Sequence, residues 1–152
     1  MIFYDFLWLP EHIVNDLRFC FQKTSLVGSE CCGLILGSYQ KYIAHAQQLL
    51  PVHNVHQQKN SFMLPLHTYR QAKYISKKCN WDIIGIYHSH PNGKPYPSPM
   101  DVRGIENSDY PWLILAPACN KQAGLELVAF QPGTMKPITI HTKSALDTPF
   151  KN

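Results

Sequence analysis

Asp82-Ile83-Ile84-Gly85-Ile86-Tyr87-His88-Ser89-His90-Pro91, continuing through Asn92-Gly93-Lys94-Pro95-Tyr96-Pro97 to Ser98-Pro99-Met100-Asp101, is the stretch on which the reading of this chain turns. Its first residues are apolar and rich in β-branched side chains, the pattern of a short buried strand rather than a helix. Side chains two apart on a strand share a face, so His88 and His90 point together while Ser89 points away. Pro91 ends the strand. Pro95 and Pro97 stiffen the return loop, because each fixes its own φ and restricts the residue before it. Ser98-Pro99-Met100-Asp101 reads as a helix start, with Ser98 as N-cap, Pro99 at the first helical position and a carboxylate at the third. The loop therefore carries Asp101 back toward the strand end.

Two imidazoles and one carboxylate are a donor set suited to catalytic zinc, which takes three protein ligands and keeps a fourth position for water. Each half also has a plain reading. Ser-x-x-Asp caps many surface helices, and a His-x-His pair alone is commonly structural. Their conjunction favours metal. There is no His-Glu-x-x-His run, and no His-x-Glu with the Pro-Cys-x-x-Cys of a deaminase. Cys20, Cys31, Cys32, Cys79 and Cys119 form no Cys-x-x-Cys. Adjacent Cys31 and Cys32 would face opposite sides of a strand, so the cysteines read as packed side chains. His53 and His56 have no carboxylate or cysteine at ligand spacing and read as loop residues.

The pattern His-x-His, seven residues, Ser, two residues, Asp, with Glu30 upstream in Ser29-Glu30-Cys31-Cys32-Gly33-Leu34-Ile35-Leu36-Gly37, resembles the JAMM or MPN-plus (JAB domain) zinc metalloprotease motif. The resemblance covers roughly Pro10 to Gln131, and no motif position is missing. It implies an α/β fold, a single-domain mixed β-sheet flanked by helices, with the JAMM/MPN architecture related to cytidine deaminases. It also implies that His88, His90 and Asp101 bind one Zn2+, that Glu30 is the proton acceptor, and that Ser98 hydrogen-bonds the developing oxyanion. Alone, Glu30 would read as a solvated residue at a strand entrance; Glu11, Asp16 and Glu106 have still less context. Stand-alone prokaryotic members are the nearest kind. The implied substrate is a ubiquitin-like or sulfur-carrier protein with a C-terminal Gly-Gly tail, cut at the peptide or isopeptide bond after the glycines. No long insertion separates Asp101 from Trp112, so the element that chain-specific deubiquitinases use to grip a second ubiquitin is not expected. Two alternatives stand beside this: a non-catalytic MPN-type interaction scaffold, whose members usually lose motif residues, and a RadC-like DNA-repair-associated protein, whose helical leader is not seen.

Composition agrees with one globular domain over residues 1–152: hydrophobic residues make up 45% and charged residues 16%. The core is expected at about 10–131, with 132–152 as a C-terminal extension. An odd cysteine count without a secretory leader points to a reducing compartment, the cytoplasm. No run approaches the ~20 apolar residues that span a bilayer, so no membrane partner is expected. Lys73, Lys77 and Lys78 read as the solvated face of a helix, and no interleaving of aromatic and basic residues suggests nucleic acid.

Along the chain, Met1 to Leu9 reads as a first strand or docking segment, and Pro10 to about Gln22 as a helix carrying Ile13, Val14, Leu17 and Phe21. Strands are expected at Cys31–Leu36 and Tyr42–Leu50, a polar loop over Pro51–Leu64, and a helix from Leu66 to about Lys78. After the metal strand come a helix from Pro99 to Asn107, strands at Tyr110–Ala116 and Leu125–Gln131, and a last edge strand at Pro137–Thr142. His53 to Leu66 is expected to form one wall of a groove for the substrate tail.

Overall fold

A computed structural model describes residues 1–53, 64–118 and 124–142. Along them run β1 (Phe6–Trp8), α1 (Glu11–Ser25), β2 (Cys32–Gln40), β3 (Ile43–Val52), α2 (Leu66–Cys79), β4 (Asp82–Ser89), α3 (Pro99–Glu106), β5 (Trp112–Pro117), β6 (Leu125–Phe130) and β7 (Pro137–His141). Extended prolines, Pro10 and Pro65, precede α1 and α2, and Asn80 ends α2 in the left-handed region at φ 57°. No helix among the described residues is long and apolar enough to cross a membrane.

The expected mixed α/β domain with a helix-flanked sheet is what forms, but the sheet closes on itself. The strand order is β1-β3-β2-β4-β5-β6-β7, and β1 pairs in parallel with both β3 and β7. The edge strand expected at Pro137–Thr142 is therefore not an edge, because β7 is paired with β1 on one side and β6 on the other. Closure comes from the apolar N-terminal segment, whose Leu7 and Trp8 bury their side chains as β1. Closing a sheet satisfies the backbone groups that an edge would leave open.

Two hydrophobic layers cover the two faces. On one, α1 sets Ile13 and Leu17 against Leu7, Ile35, Ala44, Ile84 and Tyr87. On the other, Ala72 of α2 and Ile105 of α3 meet Leu34, Leu36, Ile83, Ile86 and Trp112. Full burial of such an aliphatic side chain contributes about 1.5–3 kcal/mol. Strand β4 lies in the middle, antiparallel to β2 and parallel to β5.

One irregularity in β4 decides which way its histidines face. Ile35 pairs with Gly85 but Leu36 pairs with Ile83, which leaves Ile84 as an extra residue. Strict alternation from Ile83 would send His88 and His90 to the α1 face. The bulge shifts the phase, so Ile83 and Ile86 both pack on the α2 and α3 face, and the histidines follow Ile86.

β2 carries a second irregularity against β3, at Leu36/Gly37. A β-carbon on Gly37 would run into the carbonyl oxygen of His45 and stand 3.0 Å from Cδ1 of Ile84. Gly37→Ala is expected to lower the stability to urea unfolding by ~2–3 kcal/mol, the scale of overpacking a rigid backbone contact; an unchanged midpoint would contradict the close approach.

Candidate metal centre

His88 and His90 leave the end of β4 on the face that α3 covers, and the first turn of α3 brings Asp101 to them. His88 Nε2 lies 3.1 Å from His90 Nε2 and 3.1 Å from Asp101 Oδ1, while His90 Nε2 lies 2.9 Å from Asp101 Oδ2. Ligands of a tetrahedral zinc with bonds of about 2.0–2.1 Å stand about 3.3 Å apart. The three side chains therefore converge at the spacing one cation requires. Among the described residues they are the one cluster of three or more such side chains able to hold a metal ion.

Protonation suits the same task. His90 Nδ1 lies 2.9 Å from the carbonyl oxygen of Lys94, which can only accept, so Nδ1 carries a proton and Nε2 is the nitrogen turned to the centre, where it donates to Asp101 until a cation takes that proton's place. Burial pushes the fully enclosed His88 down, toward the neutral imidazole. Burial also opposes a charge on His90, but the hydrogen bonds to Asp101 and Lys94 outweigh it and lift its pKa. For Asp101, burial raises the pKa, and the bonds from His88, His90 and the Ser98 N–H overcome that and hold it well below the usual carboxylate range. A metal needs its ligands deprotonated, so a cation would find Asp101 already ionised and would displace the protons that the two imidazoles direct at it.

Ser98 builds the start of α3. Its Oγ accepts from the Asp101 N–H at 3.1 Å, and its own N–H donates to Asp101 Oδ2 at 2.9 Å. This capping box orients the carboxylate as well as the helix.

Glu30 is only 3% exposed. It precedes Cys31, the residue before β2, whose N–H donates to Ser89 Oγ at 2.8 Å and whose carbonyl accepts from the Ser89 N–H at 3.0 Å. Ser89 sits between the two histidines, so this clamp sets Glu30 beside the cluster. Burial pushes the Glu30 carboxyl up to about 7, with His90 pulling it down and Asp101 pushing it further up.

The structure thus brings together His88, His90 and Asp101, with Glu30 and Ser98 alongside. Cys31 and Cys32 are buried and do not join that ligand set, although Cys32 pairs directly with His88 across β2 and β4; His53 is exposed at the end of β3, and Lys73, Lys77 and Lys78 lie exposed on α2. His56 and Cys119 fall outside the described residues. Sequence reasoning missed two supports: the Ser89 hydroxyl, seen only as pointing elsewhere, and the Lys94 carbonyl, a backbone group with no side-chain signature.

Over residues 19–130 the chain matches the family described as prokaryotic homologs of the JAB domain. No curated protein sequence matches it. Among solved structures it is similar to a protein of Desulfitobacterium hafniense, with TM-score 0.78 and 19% identity over 96% of this chain and 99% of that one. It is also similar to a protein of Salinibacter ruber, with TM-score 0.59 and 18% identity over 95% of each chain. At such identities the likeness is one of fold alone.

Lifting Glu30 from its usual 4.5 to about 7 means that the metal-free native state holds a proton the unfolded chain has lost. Its contribution to stability is therefore complete below about pH 4.5 and lost as pH rises through about 7. In the metal-free protein, Glu30→Gln is expected to gain ~1–3 kcal/mol over the wild type between pH 5 and pH 8, measured by urea unfolding. Equal pH profiles would place Glu30 in water.

Proposed function

The chain belongs to the prokaryotic JAB-domain family, and on that premise we propose that it is a zinc-dependent peptidase or isopeptidase. Its proposed substrate is a ubiquitin-like or sulfur-carrier protein, cut after the C-terminal glycines. The observation that carries the reading is the convergence of His88, His90 and Asp101 within hydrogen-bonding distance of one another, with a buried glutamate beside them. Zinc held by those three residues would acidify water and polarise the scissile carbonyl.

The chain's own groups supply the rest. Glu30 takes a proton from the attacking water on its carboxylate and passes it to the departing amine. A carboxyl lifted to about 7 in the metal-free site exchanges protons readily near neutrality, and a bound cation would draw it lower. Asp101, held ionised by its hydrogen bonds, cannot serve as that carrier. Two carboxylates driven apart in this way take different roles. The Ser98 hydroxyl spends one lone pair on the Asp101 N–H and keeps its proton, which can be donated to the oxygen that becomes negative.

A Gly-Gly tail is narrow and extended, so main-chain hydrogen bonds are the natural way to hold it. The segment from His53 to Leu66 is proposed as one wall, although residues 54–63 lie outside the described structure. The sheet with helices on both faces supports the deaminase-like architecture that the motif resemblance implies, and the cytoplasm is the proposed compartment.

Incubation of the zinc-loaded protein with candidate carriers bearing C-terminal extensions, followed by intact mass, tests the reading. A mass loss ending at the glycines is expected; full zinc occupancy with no cleavage across the panel would favour a scaffold. Glu30→Gln should retain zinc and lose ~10²–10⁴ in rate. Ser98→Ala should keep zinc, slow cleavage by up to ~10²–10³ through the lost donor, and lose ~1 kcal/mol of stability with the cap. An undiminished Glu30→Gln rate would remove the base assignment.

A further inference from the structure

Gly104 sits inside α3, three residues after Asp101, where glycine weakens a helix relative to alanine. Trp112 explains it. A β-carbon at this position would collide with Cη2 of the Trp112 indole and stand 2.7 Å from its Cζ2 and 3.3 Å from its Cζ3. The missing side chain lets the indole lie flush against the helix that carries Asp101.

The same ring reaches the metal strand. Trp112 opens β5 in register with Ile86, which places it on the face of β4 that His88 occupies. Its ring and the His88 imidazole meet edge to face, with centroids 5.5 Å apart and planes at 81°. The Lys94 carbonyl orients His90, and the Ser98 N–H orients Asp101. For His88 the indole is a large rigid surface against the imidazole, and it spans from there to α3.

We propose that Trp112, admitted by Gly104, is a positioning residue of the metal centre: it sets the orientation of the His88 ring and the spacing between β4 and α3, and thereby the metal affinity. The proposal rests on reading His88, His90 and Asp101 as metal ligands. Supports one layer out from a metal's ligands are commonly worth 10–100-fold in affinity.

The test is the affinity for Zn2+ by chelator competition and the visible absorption spectrum of the Co2+ form, on the full chain. Gly104→Ala is expected to weaken Zn2+ binding about 10–100-fold and to alter the Co2+ bands. Adding Trp112→Phe to that variant should restore much of both, because the smaller ring makes room for the methyl. Trp112→Leu alone should also weaken binding, and it keeps the test open where Gly104→Ala does not fold. Leu17→Ala, a core truncation on the opposite face of the sheet, should lower stability and leave metal affinity unchanged. The proposal is overturned by wild-type affinity in Gly104→Ala or Trp112→Leu, by no restoration in the double variant, or by an equal loss in Leu17→Ala. A wild-type protein that binds no metal would overturn the ligand reading and this proposal together; tight wild-type binding indifferent to Gly104 and Trp112 would remove the proposal alone.

Discussion

Asp101 meets both imidazoles at once, one through each carboxylate oxygen. Enclosing a carboxylate costs several kcal/mol unless it is paired and hydrogen-bonded, so the site persists only if every neighbour holds station. Much of the local structure serves that requirement. The extra residue at Ile84 turns the histidines toward α3, the Ser98 capping box fixes the carboxylate, and the Lys94 carbonyl selects the His90 tautomer. Removing any one leaves the others facing a buried charge without its partner.

The two acids of the site differ through their surroundings rather than their chemistry. Asp101 receives hydrogen bonds from two imidazoles and a backbone N–H, and these overcome its burial. At Glu30 burial outweighs the pull of His90, and the carboxyl rises to about 7. Position follows the same division. Asp101 is carried by a capped helix, whereas Glu30 is tied to β4 by the paired hydrogen bonds between Cys31 and Ser89. The tie is economical, because one residue of the metal strand separates the two histidines and also anchors the glutamate.

Much of this was legible in the chain itself, for local reasons. The alternation that puts His88 and His90 on one face, the proline-stiffened return and the Ser98 cap all depend on residues within a few positions of one another. Which face the histidines take was not legible. It depends on the pairing of β4 with β2, and the bulge at Ile84 is marked only by the neighbouring Gly85, a glycine inside a strand that hints at an irregularity without saying which residue is extra. Closure of the sheet was hidden for a similar reason: Phe6–Trp8 and Pro137–His141 pair although more than a hundred residues of sequence lie between them. Gly104 carried a hint, since a glycine inside a helix invites the question of what approaches it, but only the fold shows that the answer is Trp112.

X-ray absorption at the zinc edge of the loaded protein tests the ligand set most directly. Two imidazole nitrogens and oxygen donors at about 2.0–2.1 Å, with no sulfur at about 2.3 Å, is the expected first shell. A sulfur shell, or the absence of imidazole scattering, would contradict a centre built from His88, His90 and Asp101.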